Sequence, residues 1–242
     1  MISLPPLVAS SLRYVALDFV GTVMAPTPSV GEVYHAIGAK HGSRLSVAEV
    51  THRFREAFAA TEQQPAPETS AGQDPWWTDE EAEFARWKKI VGLVLTDLPN
   101  PDVCFQELYD HFGKPESWQF FPDVPEGLQR LQRGGLKIVL ASNFDRRLHS
   151  VCAGYPELQG LIPRIISSEV GARKPSARFF ESLLKKVDCS PSEVLMVGDD
   201  LENDVRTPRT LGLPAFYLDR KGSDAGIKSF SSLTAICTAL GL

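Results

Sequence analysis

Cysteine is scarce in this sequence of 242 residues. The four cysteines are Cys104, Cys152, Cys189 and Cys237. None belongs to a Cys-x-x-Cys pair and none has a histidine cluster beside it, so the spacing argues against both a disulfide framework and a zinc site. We expect these cysteines to be reduced, buried thiols of a cytosolic protein.

The sequence also lacks a long apolar run and an excess of basic residues. No apolar stretch approaches the roughly 18 residues that can span a bilayer, and residues 1–11 lack the basic start and apolar run of a secretory signal. The 25 lysines and arginines are outnumbered by 30 aspartates and glutamates, which gives a formal net charge of −5 and argues against a nucleic-acid-binding surface. We therefore expect a cytoplasmic protein that binds neither membranes nor nucleic acids. A small anionic substrate, held in a local positive pocket, remains compatible with this charge.

The sequence does contain an alternation of short apolar strands and amphipathic helices. Strands are predicted at residues 14–17, 137–141, 164–167, 193–197 and 215–218. Helices are predicted at residues 124–133, 146–152, 177–187, 205–211 and 232–240. This alternation is typical of an α/β fold with a doubly wound, mostly parallel sheet and helices on both faces.

A long insertion follows the first strand. Residues 24–29 are rich in proline and are predicted to form a hinge without regular structure. Residues 30–112 show only helical periodicity, interrupted at residues 62–75 by a stretch with almost nothing apolar to bury, which predicts a mobile loop. The predicted domains are a Rossmann-like core of residues 1–23 and 121–242, and an all-helical cap of residues 24–120.

Polar side chains follow the predicted strands at the point where each strand ends. Asp18 follows the first strand, Ser142 follows the second, and Asp199 follows the strongest strand signal in the chain, while Lys174 lies in a loop before Pro175. Taken alone, Asp18 could simply cap a turn at Gly21. Because the carboxyl ends of parallel strands meet at one edge of a sheet, we expect these side chains to converge.

Phosphoryl transfer to a carboxylate needs a set of groups of this kind. Asp18 is predicted to be the nucleophile and a metal ligand, with the backbone carbonyl of Val20 and the carboxylate of Asp199 as further ligands. Lys174 is predicted to be catalytic by holding the phosphoryl oxygens, together with the hydroxyl of Ser142. The expected cofactor is Mg²⁺, and the expected partner is a small phosphorylated substrate.

The same residues, in the same order, resemble the four motifs of the haloacid dehalogenase superfamily of hydrolases. The motifs are Asp18-Phe19-Val20-Gly21-Thr22, Ser142-Asn143, Lys174-Pro175 and Gly198-Asp199 through Asn203-Asp204. The run from Val139 to Leu148 is similar to the branch called haloacid dehalogenase-like hydrolase domain-containing proteins. The resemblance covers nearly the whole chain and implies a Rossmann-like core, a mobile helical cap and hydrolase chemistry.

One residue departs from that pattern. The phosphatases of the superfamily carry a general acid two residues after the nucleophile, and here that position is Val20. A positioned general acid contributes about 100- to 10,000-fold to a rate. Three interpretations stay open: a Mg²⁺-dependent phosphatase without this acid, a 2-haloacid dehalogenase or phosphonatase, and a weakly active or non-catalytic binding protein.

The remaining candidates have supporting functions. Thr22 and Asn143 are predicted to contact the substrate, although Asn143 could equally orient Asp18 or support a turn. Asp200 and Asp204 are predicted to support the metal ligands without binding the metal themselves. Asp204 could either cap the following helix or orient Lys174, and the second is favoured. The sequence leaves the identity of the substrate and the oligomeric state open.

Overall fold

The computed structural model describes residues 11–62, 74–223 and 226–242. Its strands are β1 (Tyr14–Leu17), β2 (Met24–Pro26), β3 (Trp118–Phe120), β4 (Lys137–Ser142), β5 (Arg164–Ile166), β6 (Val194–Gly198), β7 (Ala215–Leu218) and β8 (Ser229–Phe230). Its α-helices are α1 (Val30–Lys40), α2 (Val47–Glu62), α3 (Glu80–Val94), α4 (Pro101–His111), α5 (Val124–Arg133), α6 (Arg147–Ala153), α7 (Pro156–Gln159), α8 (Ser167–Val170), α9 (Ala177–Val187), α10 (Thr207–Thr210) and α11 (Leu233–Ala239).

Six strands of the described chain form one parallel sheet in the order β5-β4-β1-β6-β7-β8. The order reverses direction around β1, which lies between β4 and β6. In open α/β sheets the crevice at such a switch point, beyond the carboxyl ends of the strands, is where ligands bind. The predicted doubly wound α/β fold is confirmed.

The two faces of the sheet pack against different helices because side chains alternate along each strand. In β1, Val15 and Leu17 belong to a core that includes residues of α5, α6 and α11. Tyr14 and Ala16 point the other way, into a core formed mainly with α9 and the segment before β7. Both faces of β1 are therefore buried, and the strand holds the residue that follows it rigidly.

Helices α1 to α4 form a separate helical unit, whose apolar stripes meet in a core of their own. Val50 of α2 and Ile90 and Val94 of α3 are fully buried there. The boundaries 1–23, 24–120 and 121–242 remain a prediction, and residues 63–73 of the predicted mobile loop lie outside the described residues.

The expectation that the proline-rich segment lacks regular structure was wrong for its first part. Strand β2 pairs antiparallel with β3, so the two chain connections between core and cap run side by side. Pro26 lies at the end of β2, where the lack of a backbone N–H removes no hydrogen bond from the middle of the sheet. The next residue, Thr27, donates its N–H to the Ser117 carbonyl at 2.9 Å. A local pattern of prolines cannot reveal a partner strand more than 90 residues away.

All four cysteines are free, as predicted. Cys104, Cys152 and Cys237 are buried and Cys189 is half-buried. Within the described ranges, no helix combines the length and the apolar character that crossing a membrane requires.

Candidate active site

Asp18 stands at the carboxyl end of β1, where the residue is 8% exposed. One more backbone hydrogen bond continues the pairing of β1 with β6, from the Asp18 N–H to the Val197 carbonyl at 2.9 Å. The chain then turns back, and the Gly21 N–H donates to the Met24 carbonyl at 2.9 Å. Asp18 is thus held at the switch point of the sheet by backbone bonds on both sides.

Lys174 comes from the loop after α8, yet its ammonium lies against Asp18. Its Nζ donates to Asp18 Oδ1 at 2.8 Å and to Asp204 Oδ1 at 2.6 Å, and the residue is only 2% exposed. Asn143 fixes the backbone of this loop, because its Nδ2 donates to the Lys174 carbonyl at 2.9 Å and its Oδ1 accepts from the Lys174 N–H at 2.8 Å. Of the alternatives for Asn143, the contacts favour support of the backbone, here that of Lys174.

Asp199 follows β6 and completes the group of carboxylates. Its Oδ1 accepts a hydrogen bond from the Thr22 hydroxyl at 3.0 Å. Thr22 is 1% exposed. Its hydroxyl therefore orients Asp199, and its burial does not support the predicted contact with substrate. Gly21, at φ +88°, leaves room for Asp199, because a Cβ there would come within 2.3 Å of Oδ2.

Asp200 and Asp204 belong to the wide turn after β6. Asp200 Oδ1 caps this turn by accepting the N–H groups of Glu202 and Asn203 at 2.9 and 2.8 Å. Asp204 Oδ2 accepts the Asp200 N–H at 3.1 Å while its Oδ1 holds Lys174. Asp204 therefore orients Lys174, the interpretation that the sequence favoured, whereas Asp200 organises the turn that places Asp204.

The residues that the sequence singled out as metal ligands fit a divalent cation. Ligand oxygens of Asp18, Asp199 and Asp204 lie within 4.8 Å of one another, and hard cations such as Mg²⁺ prefer carboxylate oxygens. Three ionised carboxylates beside the one ammonium of Lys174 leave two uncompensated negative charges. Since both oxygens of Asp204 already accept hydrogen bonds, Asp18 and Asp199 are the residues that would hold the cation, with the Val20 carbonyl predicted as a further ligand.

Burial is the main cause of the raised carboxyl pKa values in this cluster, and like charge adds to it. Burial raises the pKa of Asp18 to about 6, against the pull of Lys174, and burial raises the pKa of Asp204 to about 7. Loss of hydration and the nearby charge of Asp204 raise the pKa of Asp199 to about 6, although this residue keeps more contact with solvent than the other two. Burial disfavours the Lys174 ammonium, but the two carboxylates outweigh it and raise the pKa of Lys174. A bound divalent cation would lower the carboxyl pKa values again.

A cavity of about 390 Å³ opens over this cluster, between the sheet and the helices of the cap. Ser142, at the end of β4, lines the same cavity as Asp18, Lys174 and Asp199, so the predicted convergence of strand ends is present. Val20 also lines the cavity and is 40% exposed. Its side chain has no proton to donate at the position two residues after the nucleophile.

Aromatic side chains from the cap cover much of the rest of the cavity, and the sequence motifs do not identify them. The largest set comprises Tyr34, Phe54, Phe58, Trp87, Phe112 and Trp118. Helical spacing identifies such rings as one apolar stripe, but it cannot tell a face that packs inward from one that faces a neighbouring domain. Only the position of the cap over the sheet makes these rings part of the site.

The cap and the core also contact each other directly. The Glu80 carboxylate, at the start of α3, accepts Arg146 Nε at 2.9 Å and the hydroxyl of Ser168. Arg173, next to Lys174, donates its N–H to the Trp76 carbonyl at 2.8 Å and its guanidinium to Glu62. These bonds hold the cap down over the cavity.

Comparison with known proteins agrees with the geometry of this site. The model of the haloacid dehalogenase-like hydrolase family matches residues 12–212, most of the chain. The protein belongs to this family. The resemblance that the four sequence motifs showed is therefore confirmed, and hydrolase chemistry comes with it.

Proteins with different names resemble this chain in sequence or in fold. Haloacid dehalogenase-like hydrolase domain-containing protein 3 of Danio rerio is 31% identical over 214 residues, which are 87% of this chain and 86% of that protein. A phosphoserine phosphatase of Thermus thermophilus is 27% identical over 224 residues, 86% of this chain and 89% of that protein. A solved defluorinating L-2-haloacid dehalogenase superposes with a TM-score of 0.74 at 15% identity, with 96% of each chain covered, and this likeness concerns the fold alone.

Proposed function

We propose that this family member is a Mg²⁺-dependent phosphatase of a small phosphorylated metabolite, acting through an aspartyl-phosphate on Asp18. The observation that carries the proposal is the position of the Lys174 ammonium, 2.8 Å from Asp18 and 2.6 Å from Asp204, beside a third carboxylate. A cluster with two excess negative charges suits a divalent cation and a phosphoryl group together. The phosphoserine phosphatase among the relatives supports the same chemistry.

Each residue has a defined part in this reaction. Asp18 would attack phosphorus in line with the departing oxygen, while Lys174 and Ser142 donate hydrogen bonds to the phosphoryl oxygens. Asp204 keeps Lys174 charged and in place, and Asn143 holds the loop that carries it. A bound Mg²⁺, held by Asp18 and Asp199, would supply charge neutralisation for the phosphoryl group.

The helical unit over the cavity would act as the cap that excludes water from this step. We propose that it lies within residues 24–120, and that the antiparallel strands β2 and β3 are the paired connections on which it moves. The bonds of Glu80 and Arg173 across the boundary describe its closed position. The four free cysteines suit a reducing compartment such as the cytoplasm.

A second candidate is 2-haloacid dehalogenation. It is favoured by Val20, because halide departs without a proton and a dehalogenase has no need of an acid at that position. The carboxylate cluster of Asp18, Asp199 and Asp204 argues for the phosphatase instead, because an excess of negative charge has no use in a reaction that needs no metal.

A substrate panel with and without metal separates these functions. Purified protein with Mg²⁺ should release phosphate from at least one small phosphate ester, and Asp18→Asn should abolish the release. Asp102→Asn, which changes an exposed carboxylate of the cap, is the matched control and should leave it unchanged. Phosphate release that survives Asp18→Asn contradicts the nucleophile, and halide release from a 2-haloacid in excess chelator selects the dehalogenase. Turnover of neither class, with a Mg²⁺-dependent rise in melting temperature, selects a binding protein.

A further inference from the structure

The cavity over Asp18 has two chemically different ends. One end holds the carboxylates and Lys174. The other, which we call the aromatic chamber, is formed by the rings of Tyr34, Phe54, Phe58, Trp87, Phe112 and Trp118. These rings contact one another in an unbroken series, with centroids 5.2 Å apart for Tyr34 and Phe54, 5.7 Å for Phe54 and Phe58, and 6.1 Å for Phe58 and Trp87.

The series of rings continues to the core side of the cavity. Tyr34 lies 6.2 Å from Phe112, Phe112 lies 6.3 Å from Trp118, and Trp118 lies 5.5 Å from Phe19. Phe19 follows Asp18 directly in the chain. Phe19 itself is buried in the core, and the rings of the aromatic chamber line the same cavity as Asp18. The cavity therefore extends from the nucleophile into the cap, as a ring attached to the reacting phosphate requires.

The arginines that line this part of the cavity are already neutralised. Arg147 donates Nε and Nη2 to the buried carboxylate of Asp145 at 2.8 and 2.7 Å. Arg86 is paired with Glu62 and with Glu83. Lys174 is likewise paired with Asp18 and Asp204, so among the described lining residues a second anionic group on the substrate would find no uncompensated cation. The part of the substrate away from the phosphate should be uncharged.

Val20 restricts the leaving group as well. It lines the same cavity as Asp18 and the aromatic chamber, and its side chain cannot protonate a departing oxygen. A phenol has a pKa of about 10, as for a tyrosine side chain, whereas an alkoxide is about as basic as hydroxide, whose conjugate acid, water, has a pKa of about 15.7. An aryl oxide can therefore leave without a general acid, and an alkoxide leaves far more slowly.

We propose that the substrate class is a small, otherwise uncharged aryl phosphate monoester whose ring occupies the aromatic chamber. This inference rests on the proposed phosphatase function and specifies it. The Asp18 carboxylate forms a bond to phosphorus, and the phosphorus–oxygen bond to the ring breaks with its electron pair on the aryl oxide. A water oxygen then bonds to the phosphorus of the aspartyl-phosphate, and the bond between phosphorus and Asp18 breaks, which frees the carboxylate. The product is hydrogen phosphate, which keeps one proton of the water. The other proton reaches the aryl oxide through solvent.

Four substrates separate the contribution of the ring from that of the leaving group. Phenyl phosphate has a ring and a good leaving group, acetyl phosphate a good leaving group without a ring, benzyl phosphate a ring with a poor leaving group, and ethyl phosphate neither. We expect the lowest KM values for the two ring-bearing esters, and kcat values for phenyl and acetyl phosphate at least about 100-fold above those of benzyl and ethyl phosphate. The value of kcat/KM should therefore be highest for phenyl phosphate, at least about 100-fold above that of benzyl phosphate.

A conservative variant of the aromatic chamber tests the site itself. Phe58→Leu keeps an apolar side chain but removes one ring, and should raise KM for phenyl phosphate by about 2- to 12-fold, the value of one aromatic contact. The same variant should leave KM for acetyl phosphate unchanged. Phe216→Leu, at a half-buried ring pair with Phe230 on β8, is the matched control and should change neither value.

The outcomes for the two proposals differ. Loss of all four activities, including that of acetyl phosphate, overturns the phosphatase itself. Turnover of acetyl phosphate without a lower KM for the ring-bearing esters, or an equal effect of Phe58→Leu on phenyl and acetyl phosphate, leaves the phosphatase standing and overturns the aryl substrate.

Discussion

Restoring the missing acid at Val20 is the sharpest test of how this site works. Val20 lies two residues beyond the nucleophile, lines the cavity and is 40% exposed. Substitutions at such surface-like positions usually change stability by less than about 0.5 kcal/mol. Val20→Asp should therefore fold normally and place a carboxyl group beside the scissile bond.

The charges around residue 20 decide whether that carboxyl can act as an acid. Asp18 and Asp199 lie nearby, and their own pKa values are raised to about 6. Like charges raise the pKa of a neighbouring carboxyl, so the protonated fraction of Asp at position 20 should be larger at pH 6 than at neutral pH. A general acid then contributes about 100- to 10,000-fold when the leaving group is an alkoxide, and little when it is a stabilised aryl oxide.

The assay is kcat/KM at pH 6 for a series of phosphate esters that differ in the pKa of the leaving alcohol. Val20→Asp should raise the value by about 100-fold or more for ethyl and benzyl phosphate, and by less than about threefold for 4-nitrophenyl phosphate. Val20→Asn has the same shape without the proton and serves as the control. An equal gain for all leaving groups, or the same gain with Val20→Asn, would refute the idea that the site lacks only a proton donor.

Three other changes follow from the same contacts. Gly21→Ala should abolish the Mg²⁺-dependent rise in melting temperature, because its Cβ would meet Asp199 Oδ2 at 2.3 Å, whereas Gly135→Ala, with a similar φ and open space, should only lower stability by about 1–2 kcal/mol. With pKa about 7 in the folded protein against about 3.8 unfolded, Asp204 makes the metal-free protein bind extra protons between these values, so its unfolding free energy falls as pH rises through that window. Asp204→Asn should flatten this fall by about 4 kcal/mol, which denaturant titrations at pH 4 and pH 8 would measure. Glu80→Gln removes the ion pair between cap and core, and should raise KM up to about fivefold in steady-state kinetics with little change in unfolding.

Much of the core could be predicted because its elements depend on local patterns. The apolar runs before Asp18 and Asp199 formed the expected strands, and the helix at 177–187 has the predicted bounds. The pairing of β2 with β3 could not be predicted in the same way. It joins residues more than 90 positions apart, and no short-range signal marks either segment.

The roles of the site residues show the same difference between local and long-range information. The sequence identified Asp18, Lys174, Asp199 and Asp204 as one chemical set, because each lies after a predicted strand or in a loop that the sequence marks. It could not show that Thr22 bonds Asp199, because that contact joins residues 177 positions apart. It also could not decide which of several roles Asn143 has. Two hydrogen bonds to the Lys174 backbone show that role in the structure.

What the sequence by itself determined was the alternation of strands and helices, the family and the reactive groups, because these depend on spacing along one chain. The tertiary structure alone decided the electrostatics and the shape of the site. The ammonium of Lys174 lies 2.8 Å from a carboxylate 156 residues away, and burial of that cluster produces the raised pKa values of its acids. The aromatic chamber likewise exists only because the cap closes over the end of β1, where the chain turns at Val20.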